Sequence, residues 1–82
     1  MRLDLFLKQT TLIKRRTIAK ELAEKGKVFV NGRIAKPSSE VRSGDAIKLV
    51  LGSRIVSCIA SLELKGKREV ASVIDTKVEK ND

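Results

Sequence analysis

Asn31-Gly32, set between Val28-Phe29-Val30 and Arg33-Ile34, restricts this chain more than any other stretch of it. A type I′ turn needs positive φ at both central residues, and Asn-Gly between β-formers is the strongest short signal for one. The chain is therefore expected to reverse within two residues, with its flanks paired as antiparallel strands. Just upstream, Ile18, Ala19, Leu22 and Ala23 form an apolar stripe at helical spacing, with Arg16, Lys20 and Glu24 opposite. Gly26 follows as a stop, because glycine readily takes the left-handed conformation that closes a helix. Lys25 and Lys27 flank that end and suit the negative pole of the helix dipole. A helix over about residues 16–25 running into a hairpin is the expected centre of the fold.

Leu3, Phe6 and Leu7 predict an earlier helix over residues 2–9, with Leu5 off the stripe. Gln9-Thr10-Thr11 weakens it, and Leu12 and Ile13 make a short apolar link. Downstream, Pro37-Ser38-Ser39 reads as a loop and Ser43-Gly44-Asp45 as a turn. Ile47–Leu51 and Arg54–Ala60 read as strands joined at Gly52-Ser53. Beyond Leu64 the periodicity fails. Lys65-Gly66-Lys67-Arg68 is a charged loop, and Glu69–Ile74 fits either a short helix or an extra strand. Lys77 to Asp82 is expected to fray, since only Val78 offers apolar surface. The expected class is α+β, with two N-terminal helices packed on a small antiparallel sheet and an irregular C-terminal tail. Residues 1–64 would form the single domain, and residues 65–82 a short, partly ordered extension.

At 82 residues the chain makes one domain, which buries only about 60–65% of its unfolded surface. Its 41% apolar content is enough for one economical core. No apolar run reaches the roughly 20 residues of a membrane span. Asp4 and Lys8 interrupt the one N-terminal stretch that a secretory signal would need. A cytoplasmic location is expected. Cys58 is the single cysteine and sits in Ile55-Val56-Ser57-Cys58-Ile59, where a small buried hydrophobe is the simplest reading. There is no histidine, so the usual general base and the commonest metal ligand are both missing. No paired carboxylates mark a cleft. The expectation is a binding protein without cofactor or metal, not an enzyme.

Charge placement points to the partner. Residues 1–36 hold ten Lys/Arg against three acids, a net +7, whereas residues 37–82 hold eight against seven. Solubility alone would not concentrate the excess in one half, but attraction of a polyanion would. Arg2 and Lys8, Lys14, Arg15 and Arg16, and Lys20 are expected to converge on one surface, extended by Lys25, Lys27 and Arg33. Arginine adds a planar fork that grips phosphate bidentately. The chain has two Phe and neither Tyr nor Trp, too few for a binder that works mainly by stacking bases. Phe6 belongs to the apolar helix face; Phe29 has the opposite parity to Val28 and Val30, so exposure and a stacking role stay open there. Backbone and groove recognition of folded RNA is the chemistry that remains. A DNA-reading helix-turn-helix with residues 16–25 as its recognition helix is the alternative, weakened because that face carries no Asn or Gln to read adenine.

Four ordered blocks carry a family resemblance: Met1 to Leu7, Leu12 to Leu22, Gly26 to Arg33 and Ser43 to Ile47. Together they resemble the αL motif, the RNA-binding domain named after ribosomal protein four of the small subunit. The short length resembles the stand-alone members that serve bacterial ribosome quality control, whose relatives include the heat-shock protein that rescues tRNA-blocked large subunits. A monomer is expected, and that resemblance implies a factor touching large-subunit rRNA and P-site tRNA while stalled chains are tailed with alanine. It also implies an RqcH-type tRNA-recruiting partner. Arg2, Asp4, Lys8, Arg16, Lys20, Lys27 and Asn31 match the family's RNA-facing pattern. Asp4, an acid among cations, would orient Arg16 or accept from a ribose hydroxyl, or else serve as a plain helix-start acid. Leu5 stands where relatives often carry Lys, and Arg15 where many place a Ser or Thr cap. Because Met1 opens the motif directly, a complete small protein is expected rather than a module of a larger RNA-modifying enzyme.

Overall fold

The computed structural model describes residues 1–81. Two helices, α1 (Leu3–Gln9) and α2 (Arg16–Glu24), are followed by five strands: β1 (Val28–Val30), β2 (Arg33–Ile34), β3 (Ala46–Leu51), β4 (Arg54–Lys65) and β5 (Arg68–Lys80). They form one antiparallel sheet in the order β2-β1-β3-β4-β5. The α+β class and the helix pair on the sheet agree with expectation.

The Asn31-Gly32 turn forms as predicted. Asn31 and Gly32 both take positive φ, 53° and 81°, so β1 folds straight back onto β2. At the end of α2, Gly26 at φ 73° lets the Gly26 amide donate to Ala23 O and the Lys27 amide to Leu22 O. That pair of bonds satisfies carbonyls which the helix would otherwise orphan. Arg15 precedes α2 and makes no side-chain cap, as its residue type implies. Helix α1 ends at Gln9, where Thr11 at φ 60° turns the chain away.

Alternation along the strands puts Val28, Ile47, Leu49, Cys58, Ala60 and Ala71 under the helices, against Leu3, Phe6, Leu7, Ala19 and Ala23. Cys58 is buried, as expected, and burial pushes its thiol above the ordinary cysteine value. Ile18 departs from the expected stripe: it is 43% exposed, because the two alanines and Leu22 already fill the contact with the sheet.

The irregular tail is corrected outright. Arg68–Lys80 is the longest strand, paired with β4 along almost its whole length. The pairing register shifts between Ser57 and Ile59, with Asp75 at φ 53° in the extra β5 stretch. Such a bulge breaks strict alternation, which is why the sequence showed none. Lys77–Lys80, expected to fray, belongs to the strand, while Asp82 lies outside the described residues. The α-amino group of Met1 donates to Glu40 Oε1 at 2.9 Å and lies 3.5 Å from Glu69 Oε1, so the chain start is held against β5. The Glu40 hydrogen bond is the main reason this amine titrates above its usual value.

Candidate RNA interface

The centre of the expected surface is built on an acid. Asp4 sits in the first turn of α1 and is 1% exposed, the one charged side chain among the buried residues described. Arg2 grips it as a fork, Nε to Oδ1 and Nη2 to Oδ2, each 3.2 Å. From α2, Arg16 Nε lies 3.4 Å from Oδ2. The Leu5 amide donates to Oδ1 at 2.8 Å. Burial alone would raise the Asp4 carboxyl, but Arg16, Arg2 and the Leu5 amide more than offset it, and the group stays below the ordinary aspartate range.

Both guanidinium groups remain about half exposed. Asp4 takes only some of their donors, so others remain for a ligand. Two arginines, one just before α1 and one opening α2, are thereby held as a pair before any ligand arrives. Such preorganisation reduces the rotamer entropy lost when a phosphate is gripped. Of the readings open for Asp4, the orienting one describes its geometry.

Lys20 lies one turn beyond Arg16 on α2 and is exposed. Lys8 in the last turn of α1, Lys14 and Arg15 before α2, and Lys25 and Lys27 after it are also exposed. Arg33 is exposed on β2. Contact brings Arg2, Asp4 and Arg16 together; the other cations are exposed on α1, α2, their flanks and β2, without ion pairs among the described residues. Asn31 is differently engaged. Its Nδ2 donates to Asp45 and its Oδ1 accepts from the Ala46 amide, so the side chain fastens the hairpin to the start of β3.

Lys36 is the last of the ten cations in the basic half. The structure places it with Arg2, Glu24, Gly26, Ile34 and Ala35 around a cleft of about 450 Å³. Only its position just past the hairpin hinted at this. Among the described residues, no helix is long and apolar enough to cross a membrane.

A mixed domain whose helix pair presents clamped arginines beside an Asn-Gly hairpin defines a class of small RNA-binding domains. The S4 domain family matches residues 1–47. A protein of Listeria innocua named RQC P-site tRNA stabilizing factor is 51% identical over 77 residues, covering 93% of this chain and 84% of that one. Its namesake from Bacillus subtilis is 45% identical over 73 residues, covering 88% and 85%. Among solved structures, trimeric heat shock protein 15 of Vibrio cholerae superposes with a TM-score of 0.73 at 30% identity, covering 92% of this chain and 82% of that one. The chain belongs to the S4 domain family and, within it, to the family of these RQC P-site tRNA stabilizing factors.

Proposed function

We propose that this chain is a non-catalytic, ribosome-associated RNA-binding factor that holds large-subunit rRNA and P-site tRNA together during ribosome quality control. In this reading it supports alanine tailing of stalled chains beside an RqcH-type factor, as a monomer in the cytoplasm. The observation that carries the RNA part is the Asp4-centred pair of Arg2 and Arg16, backed by a basic N-terminal half. The relatives' shared name supports the quality-control part. Lys8, Lys14, Arg15, Lys20, Lys25, Lys27 and Arg33 then meet phosphates around the pair, and Asn31 shapes the hairpin that borders it.

Two measurements test this. Arg16→Ala weakens binding of a labelled RNA hairpin by about tenfold while the fold is kept, because Arg2 and the Leu5 amide still pair buried Asp4 and the loss of stability stays at about 1 kcal/mol, a few degrees in melting temperature. Unchanged affinity in both Arg16→Ala and Lys20→Ala removes this face from the proposal. In a sucrose gradient of lysate the protein travels with large subunits; recovery with small subunits or at the top of the gradient rejects the ribosomal role. The likeness to heat shock protein 15 favours a second reading, recycling of tRNA-blocked large subunits. Enrichment on free large subunits after heat shock, with no dependence on stalled chains, selects it.

A further inference from the structure

The helices cover one face of the sheet and leave the other bare, and the register of that bare face is informative. Phe29 pairs with Lys48, Lys48 with Ser57, and Ser57 with Lys77, so four side chains line up across β1, β3, β4 and β5. The next row on the same face is apolar: Ala46, Ile59 and Ile74. With strands about 4.8 Å apart, the two lysines stand roughly 10 Å from each other. The bulge between these rows on β5 increases the local twist and cups the sheet. The result is an open groove of about 670 Å³, within the roughly 300–1,000 Å³ of small-ligand sites. Phe29, Lys48, Ser57, Ile59, Thr76 and Lys77 line it.

We propose that this groove is a second RNA subsite that takes one unpaired nucleotide, its base against Phe29 and Ile59 and its phosphate between Lys48 and Lys77. The proposal rests on the RNA-binding reading above and adds a second, opposite face. Phe6 is fully buried, which leaves Phe29 as the ring available for stacking. Lys48 Nζ lies over the Phe29 ring, 5.0 Å from its centroid, so a base that stacks there displaces the ammonium from the ring towards the nucleotide's own phosphate. The acids here are Asp75, in the groove wall, and Glu79, opposite Ile55. They leave the face near neutrality, so its grip depends on stacking more than on a broad field. A factor with RNA sites on both faces can bridge two RNA molecules instead of coating one.

The test compares fluorescein-labelled octa-adenylate with the labelled hairpin, by anisotropy at roughly 50 and 200 mM KCl. Phe29→Leu and the double change Lys48→Gln/Lys77→Gln each weaken octa-adenylate by about tenfold and leave hairpin binding within about twofold. The Phe29→Leu deficit is the same at both salt concentrations, and octa-adenylate shifts the amide resonances of Phe29, Lys48, Ser57 and Lys77. Thermal melts confirm that both variants fold. Unchanged octa-adenylate affinity in both variants, or resonance shifts confined to α1 and α2, overturns the subsite. So does loss of a cross-linked protein partner in variants that still bind octa-adenylate, because the face is then a protein-docking surface. Failure of Arg16→Ala to weaken hairpin binding is a separate result and strikes the helix face alone.

Discussion

The buried carboxylate of Asp4, on α1, lies 3.4 Å from Nε of Arg16, the first residue of α2. One contact therefore joins the two helices and aims a cation at solvent. It explains an acid in a basic surface without asking that acid to touch RNA.

Replacing Asp4 with Asn keeps the shape and removes the charge. Breaking a fully buried pair costs about 3–5 kcal/mol, but both arginines here can turn to water. The expected loss is about 1–3 kcal/mol, read as a lower urea midpoint. Hairpin RNA affinity falls as well, because Arg2 and Arg16 lose their common anchor.

The same carboxylate sets an acid dependence. Its folded-state value lies below the ordinary one, so its stabilisation is complete above roughly pH 4 and is lost as pH falls through the depressed value. Urea unfolding of wild type and Asp4→Asn, compared from neutral to strongly acidic pH, shows a constant gap that closes only at the acid end. A gap that closed near neutrality would contradict the assignment.

Asn31 combines positive φ with two side-chain hydrogen bonds to the start of β3. Asn31→Ala is expected to cost about 1–2 kcal/mol from backbone strain, with the lost hydrogen bonds in addition. Asn31→Gly relieves the strain and loses only the bonds. Thermal melts should rank wild type above Asn31→Gly and Asn31→Ala lowest.

Gln9 Oε1 accepts the outward amide of Ala71 at 2.6 Å, tying the end of α1 to β5, the strand on the sheet's edge. Gln9→Ala removes about 0.5–1.5 kcal/mol and frees that amide. Hydrogen exchange at Ala71 should accelerate well beyond that of Val28 in the sheet interior.

What could be read from the sequence was local. The Asn31-Gly32 turn and the Gly26 stop each depend on a few neighbours and backbone sterics, and both were legible. The basic half was legible as a charge excess, although only coordinates bring Arg2 and Arg16 to one carboxylate or set Lys36 in one cleft with Arg2. β5 was not legible. Its apolar residues, Val70, Val73, Ile74 and Val78, fall out of step across the bulge, and Val78 and Ile74 stay largely exposed. Its pairing is decided by β4, not by its own pattern. Ile18 misled for a similar reason: a helical stripe states which residues share a side, not how wide the facing sheet is.

The segment matched by the S4 family stops at Ile47, on the second residue of β3. Leu49, Cys58, Ala60 and Ala71, which floor the helix pair, all come later in the chain. The shared portion is thus a roof whose walls are supplied locally. A chain cut after Ile47 would leave Leu3, Phe6 and Leu7 without most of the surface that buries them.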